Sequence, residues 1–357
     1  MVPLIDLSRR LKANADAFAA ATQQVLDSGT VLLGSQTSQF EKSFANFTVA
    51  KYGIAVSSGA SALQLGLAAL GIGPGDEVIV IEPVYDSYIP SIDTVGGTAV
   101  PVQLIVKRND DGDISGYEIP WDAMAKAITP RTKMIMINSP HNPTGMVWQS
   151  ADIDRLADLV RDTDILICSD EVYEHMVFDG KDHQSVALHP ELAERSFVIS
   201  SFGKTYHVTG WKVGYVAAPA HLSTEFRKVH QFNVFTINTP VQYGLADYLK
   251  NPDPYLNLAG FYQQKRNYMR QGLEQTKFKL LPAPGTYFQC VDYTQLGIPQ
   301  AKLNSSDFCQ WLTKDVGVAA IPVSAFYSDP VESGVIRFCF AKKESTLAEA
   351  LKRLQSI

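Results

Sequence analysis

ILICSDEVY, Ile165 to Tyr173, is an apolar run closed by a polar cluster. Its apolar residues are continuous rather than alternating, so it reads as a strand buried on both faces, the habit of a parallel sheet. INSPHNPTG, Ile137 to Gly145, repeats the form one strand upstream. In open α/β sheets ligands bind in the crevice beyond the carboxyl ends of the strands, so Asn142, Asp170 and Tyr173 are expected at one crevice. Taken singly, Asp170 also suits a helix N-cap and Asn142 a turn before Pro143. An Asp in such a crevice can keep a pyridinium nitrogen protonated, and Asn and Tyr can hydrogen-bond a phenolate oxygen.

Working outward, candidate strands at Ile54 to Ser57, Glu77 to Ile81, Lys133 to Asn138, Ser196 to Ser200 and Gly214 to Ala217 alternate with helical patterns. That rhythm predicts an α/β chain with a mostly parallel, doubly wound sheet in a large domain. A helix-rich stretch from His221 to about Thr276 leads to a smaller α+β domain, with strands at Tyr287 to Val291 and Val335 to Phe340. Pro282 to Gly285 marks the crossing. The expected division is 1–45 as an N-terminal arm and part of the small domain, 46–250 as the large domain and 251–357 as the small one. Lys107 to Tyr117, polar and turn-rich, reads as a surface loop.

SFGKTYHVTGWKVGY, Ser201 to Tyr215, carries the chemistry. A cofactor aldehyde is held through a lysine amine, and its phosphate needs hydroxyls, backbone N–H groups and a cation. Lys204 supplies the amine, and Ser201 and Lys212 suit the phosphate; a plain surface turn is the competing reading. AVSSGASAL, Ala55 to Leu63, places Gly59, Ala60 and Ser61 at a helix start, where free N–H groups and the helix dipole favour an anion. An ordinary Ser/Gly cap gives the same letters. In GVIRFCFAK, Gly334 to Lys342, Arg337 is an isolated charge inside a strand. Such a charge is costly unless it meets an anion, either a substrate α-carboxylate or a buried Asp or Glu.

Composition bounds the class. With 357 residues, 46% of them hydrophobic, the chain can bury a large core. A net charge of −6 argues against a general nucleic-acid partner. Cys168, Cys290, Cys309 and Cys339 are widely spaced, with no CxxC pattern, and read as buried thiols rather than metal or redox ligands. No signal peptide and no membrane-length apolar run is apparent, so a cytoplasmic protein without a membrane partner is expected.

Taken together, NSPHNPTG, SDEVY and SFGKTYHVTGWKVGY resemble the pyridoxal-phosphate-dependent class I aminotransferases of fold type I, within the kynurenine, glutamine and methionine aminotransferase subgroup. The resemblance runs from about Gly75 to the C-terminus; Val2 to about Gly75 looks more like the sugar-nucleotide aminotransferases of the same fold. It implies pyridoxal 5′-phosphate as cofactor, with Lys204 its covalent lysine, Asp170 the partner of the ring nitrogen, and Asn142 and Tyr173 the partners of the ring oxygen. Tyr85, in EPVYDSY, matches the aromatic stacked on the ring; its other reading is a core aromatic at a helix start. Lys212 stands where many class I enzymes carry Arg. Arg337 resembles the substrate-carboxylate arginine. Phe235, in QFNVFTINTP, matches the segment that reaches into the neighbouring subunit's site, or else makes a hydrophobic helix junction.

The implied function is transfer of the amino group of a neutral, bulky L-amino acid, such as methionine, glutamine or an aromatic one, to a 2-oxo acid by a ping-pong homodimeric enzyme. A C–S β-lyase, a sugar-nucleotide aminotransferase and a non-catalytic cofactor-binding module are the alternatives on the same scaffold.

Overall fold

The computed structural model describes residues 15–30, 33–48, 50–329 and 331–357. Residues 1–14 of the expected N-terminal arm lie outside it. Nine strands precede the helix-rich stretch: β1 (Tyr52–Val56), β2 (Glu77–Glu82), β3 (Thr98–Gln103), β4 (Ile105–Arg108), β5 (Ile114–Glu118), β6 (Thr132–Asn138), β7 (Leu166–Asp170), β8 (Ser196–Ser201) and β9 (Gly214–Ala218). Seven of them form one sheet in the order β1-β9-β8-β7-β6-β2-β3. All neighbours in it are parallel except β9, which runs against both β1 and β8.

The sequence pattern and the burial agree strand by strand. In β2, Val78 and Val80 face one core while Ile79 and Ile81 face another; in β6, Met134 and Met136 oppose Ile135 and Ile137 in the same way. Both faces are covered, so neither strand shows the polar alternation of a half-exposed one. Each fully buried Val or Ile side chain contributes about 1.5–3 kcal/mol of transfer free energy, which is why register is tightly held here.

Lys107 to Tyr117 is not a loop. It lies in the antiparallel hairpin β4–β5, closed at Asn109–Asp113, where the Asn109 side-chain oxygen accepts the Asp113 N–H at 2.8 Å. β4 is exposed throughout and only four residues long, so Ile105 and Val106 are too short an apolar run to mark it as a strand in sequence. β3 was also unmarked: as the edge strand it is half-exposed and contains Pro101.

The second sheet is antiparallel, in the order β10-β11-β13-β12, with β10 (Lys279–Leu280), β11 (Phe288–Asp292), β12 (Ile321–Pro322) and β13 (Val335–Cys339). Its core joins Phe288, Val291, Ile336 and Phe338 to the helices Leu258–Leu273 and Glu344–Leu354. The segment Pro282 to Thr286 docks this body on the large sheet: the Phe178 N–H donates to Pro284 O at 2.9 Å, and the Thr286 N–H to Met176 O at 2.9 Å. A Cβ on Gly285 would lie 2.7 Å from Pro140 Cβ, so only glycine lets the two backbones approach this closely. The helices Ala15–Ser28 and Ser35–Phe47 pack on the β1–β9 edge and on the helix Thr239–Tyr248, through Phe40, Phe44, Tyr215 and Val241 and through Val25 and Tyr243.

Candidate active site

Five sheet strands, β1, β8, β7, β6 and β2, end at one edge, with β9 starting between β1 and β8, and every turn that follows the five carries a residue singled out from sequence. Val56 of β1 lies opposite Gly214 at the start of β9, and Gly214 lies opposite Ser201 at the end of β8. Asp170 at the end of β7 pairs with Asn138 of β6 on one side and Ile199 of β8 on the other. Tyr85 follows β2, which pairs with β6.

At the β1–β9–β8 end the chain makes a cup. Ser58 caps the helix Gly59–Ala69: its hydroxyl accepts the Ser61 N–H at 3.0 Å, and the Ser61 hydroxyl lies 2.8 Å from that of Ser57 and 2.9 Å from that of Ser58. The Gly59 and Ala60 N–H groups stand in the first turn, ahead of the helix's own ladder. Across from them, the Ser201 hydroxyl accepts the Gly203 N–H and donates to Val213 O, both at 3.3 Å. Lys212 is exposed and left-handed, at φ 56°. A Cβ on Gly214 would fall 2.8 Å from Ser200 O and 3.3 Å from Gly59 N, so glycine is what brings the three arms together.

Beside the cup lies a buried polar network. Asp170 is 9% exposed; its Oδ2 accepts the Tyr88 hydroxyl at 2.6 Å and its Oδ1 the Val172 N–H at 3.1 Å. Burial pushes its pKa up, while these two donors and the nearby Lys204 charge act in the opposite direction. Among the described residues no cation lies within ion-pair distance of it. The buried Tyr173 ring stands edge-on to Tyr287, with centroids 5.3 Å apart, and its pKa is held well above the usual phenol range, first by burial and then by that neighbour. The Lys204 Nζ stands 6.0 Å from the centroid of the Tyr287 ring. Asn138 fixes the loop after β6, donating to Asp170 O at 2.8 Å and accepting the Asn142 N–H at 2.7 Å.

Arg337 on β13 closes the crevice from the small sheet. Its Nη1 donates to the side-chain oxygen of Asn142. Its guanidinium carbon sits 3.9 Å from the centroid of Phe288 and 4.9 Å from that of Phe326. Among the described residues it has no carboxylate partner. A guanidinium flanked by rings and bonded only to an amide retains free donors for a bidentate anion.

The structure therefore brings Lys204, Asp170, Tyr173, Tyr85, Asn142 and Arg337 to one crevice, with Gly59, Ala60, Ser61, Ser201 and Lys212 at its adjoining end. Phe235 is elsewhere in the protomer. It is left-handed, at φ 62°, 46% exposed, and lines a different cavity of about 290 Å³ with Thr37, Glu41, Arg227 and Gln242. Tyr88, Tyr287, Phe288 and Phe326 were not singled out from sequence. Tyr88 stands three residues after Tyr85, on the first turn of a helix, and that spacing was the only available signal.

The residues present fit pyridoxal 5′-phosphate. A buried carboxylate with no ion-pair partner among the described residues answers to a protonated ring nitrogen, and the cup offers hydroxyls, first-turn N–H groups and a glycine-made cradle to a phosphate.

A family model described as Aminotransferase class I and II matches residues 8–354. Methionine aminotransferase of Escherichia coli K12 is 45% identical over 306 residues, covering 85% of this chain and 76% of that protein. A probable N-succinyldiaminopimelate aminotransferase of Mycobacterium tuberculosis is 37% identical, covering 81% and 73%. Kynurenine–oxoglutarate transaminase 1 of Mus musculus is 35% identical, covering 80% and 72%. A solved Escherichia coli structure identified with a methionine aminotransferase function superimposes with a TM-score of 0.87 at 39% identity, covering 96% of this chain and 90% of its own.

Proposed function

This chain belongs to the class I and II aminotransferases of fold type I, with pyridoxal 5′-phosphate as cofactor, and we propose how its residues divide the work of transamination. The reaction moves the amino group of a neutral, bulky L-amino acid to a 2-oxo acid. The bound cofactor supplies an electron-withdrawing ring that delocalises the negative charge left when the substrate Cα–H bond breaks.

The chain's own residues do the rest. Lys204 Nζ would be the nucleophile that holds the cofactor covalently; once released by the incoming amino group, it would take the proton from the substrate Cα and return it two bonds away, to the cofactor's aldehyde carbon across the nitrogen. Asp170 would hold the proton on the ring nitrogen. Tyr173 and Asn142 would hydrogen-bond the ring oxygen, and Tyr85 would stack on the ring face. Gly59, Ala60, Ser61, Ser201 and Lys212 would hold the phosphate. Arg337, with Asn142, clamps the α-carboxylate and so orients the Cα–H bond toward Lys204. The observation that carries this division is Arg337: a strand cation with no carboxylate partner among the described residues, bonded to Asn142 at the crevice that Lys204 and Asp170 share.

The preference for a neutral side chain is supported by the rings of Phe288, Phe326, Tyr287 and Tyr85 about the crevice, and by what the relatives from Escherichia coli and mouse are named for. Methionine, phenylalanine, glutamine and kynurenine are the donors to test. We also propose a homodimer in which Phe235 lines the partner's site, and a cytoplasmic location, where the four free thiols fit a reducing compartment. Among the described residues no helix is long and apolar enough to cross a membrane.

The test is two-substrate kinetics on the cofactor-loaded protein, with each donor varied against a 2-oxo acid. Parallel double-reciprocal lines, with new 2-oxo acid formed one for one with the acceptor consumed, are expected. Ammonia and pyruvate released from a cysteine conjugate at comparable rate without acceptor would instead make the protein a C–S lyase.

A further inference from the structure

Tyr88 is buried, 2% exposed, at the start of the helix Tyr88–Thr94 that follows the turn after β2. Its hydroxyl lies 2.6 Å from Asp170 Oδ2, a short charge-assisted contact between residues 82 positions apart. The other oxygen, Oδ1, is held at 3.1 Å by the Val172 N–H. One donor on each oxygen fixes the carboxylate plane and leaves a lone pair on each for something outside the protein. We propose that Tyr88 is a positioning residue for the cofactor: acting through Asp170, it keeps that carboxylate ionised and aimed, and so sets how firmly Asp170 holds the proton on the cofactor's ring nitrogen.

The reasoning rests on the role assigned to Asp170 above. A carboxylate taken out of water and given no cation tends to bind a proton itself. Once neutral, it no longer stabilises a proton on a neighbouring ring nitrogen. The direction of the shift at Asp170 agrees: burial raises its pKa, and the Tyr88 hydroxyl is the first of the influences that lower it. The other titratable groups that face the pair are Lys204 after β8, Glu171 and Tyr173 after β7, Cys168 within β7, and Tyr85 one turn before Tyr88. Of these, Lys204 is the only cation, and it is not in ion-pair contact with Asp170. Tyr88 is the only side chain that donates to either Asp170 oxygen among the described residues. A purely structural tyrosine would need a partner for its hydroxyl, but any backbone carbonyl would serve.

The experiment is equilibrium binding, read by absorbance and by quenching of protein fluorescence, of two ligands to the cofactor-free protein: pyridoxal 5′-phosphate and its 1-deaza analogue, which carries CH in place of the ring nitrogen. The readout is the ratio of the two affinities, which cancels any general damage to the site. Tyr88→Phe is expected to lower the ratio about tenfold, the size of one hydrogen bond to a charged group, while the deaza analogue binds within about twofold of wild type. Equal weakening of both ligands, or an unchanged ratio, overturns the proposal. Asp170→Asn is measured alongside. If it leaves the ratio unchanged, the role given to Asp170 is what fails; if it lowers the ratio while Tyr88→Phe does not, only the role of Tyr88 fails. Should Tyr88→Phe not fold, 3-fluorotyrosine placed at position 88 keeps the ring and makes the hydroxyl a stronger donor. A raised ratio, with a fluorine resonance that moves on binding the cofactor and not the deaza analogue, supports the proposal, and an unchanged ratio overturns it.

Discussion

Arg337, on the middle of β13, donates to the side-chain oxygen of Asn142, four residues past the end of β6, so that one hydrogen bond spans from the small sheet to the large. The amide fixes one edge of the guanidinium and the rings of Phe288 and Phe326 fix its plane. Arg337→Lys keeps the charge but loses the planar fork and the ring contacts. We expect kcat/KM for every amino acid donor to fall about 10- to 100-fold, corresponding to one or two charge-assisted hydrogen bonds, with cofactor affinity unchanged. Steady-state kinetics beside a cofactor titration checks this; an equal loss of cofactor affinity would show that Arg337 holds the fold of the site rather than the substrate.

Gly214 controls the other end of the crevice. Gly214→Ala puts a methyl 2.8 Å from Ser200 O and 3.3 Å from Gly59 N, both backbone atoms, so β8 or the helix Gly59–Ala69 must move. Because those elements carry the proposed phosphate contacts, the variant should bind pyridoxal 5′-phosphate at least about tenfold more weakly, while pyridoxal without the phosphate loses little. A general destabilisation would weaken both ligands alike. The thermal midpoint of the cofactor-free protein, measured in parallel, reports the cost of the shifted strand itself.

His141 gives the fold a pH dependence of known sign. Its ring is buried beside Thr144, 2.7 Å from that hydroxyl, and burial drives its pKa from 6.5 to about 4, against a smaller opposing pull from the Pro83 backbone. The native protein thus refuses a proton that the unfolded chain accepts below about pH 6.5. Stability is lost as pH falls from 6.5 toward 4, by an amount on the order of 3 kcal/mol. His141→Gln cannot titrate. Urea unfolding at pH 7, 6 and 5 should show the wild-type protein losing more stability than the variant; equal slopes would mean that His141 stays accessible to protons.

Much of this was legible in the chain because burial on both faces leaves an unbroken apolar run. β2, β6, β7 and β8 announce themselves that way, and their ends and the turns after them carry Tyr85, Asn142, Asp170 and Lys204 at the crevice side. β3 and the hairpin β4–β5 did not: Pro101 interrupts β3, and β4 is only four residues long and runs straight into a polar turn. The antiparallel direction of β9 is set by tertiary pairing and has no local signature. Tyr88 and Tyr287 were missed for a different reason: each matters through a contact with a residue far away in sequence, Asp170 and Tyr173 respectively, and an aromatic among apolar residues looks the same whether or not its hydroxyl is used.

Phe235 allows a test of the proposed shared site. Within its own protomer it is half-exposed and away from Lys204, in a strained left-handed conformation that a non-glycine residue keeps only when its surroundings hold it there. If it serves the partner's crevice, Phe235→Ala should raise KM for bulky donors, and mixing that variant with Lys204→Ala should restore activity. In a mixed dimer one site then takes its lysine from the Phe235→Ala subunit and its phenylalanine from the Lys204→Ala subunit, and is wild type; the other lacks both. Random exchange makes half the dimers mixed, so activity at limiting donor should reach about one quarter of wild type. If Phe235 acts within its own subunit, no mixed dimer contains an intact site, and the mixture shows only the residual activity of Phe235→Ala, diluted by half. Recovery toward the one-quarter value, measured after unfolding and refolding the two variants together, separates the two arrangements.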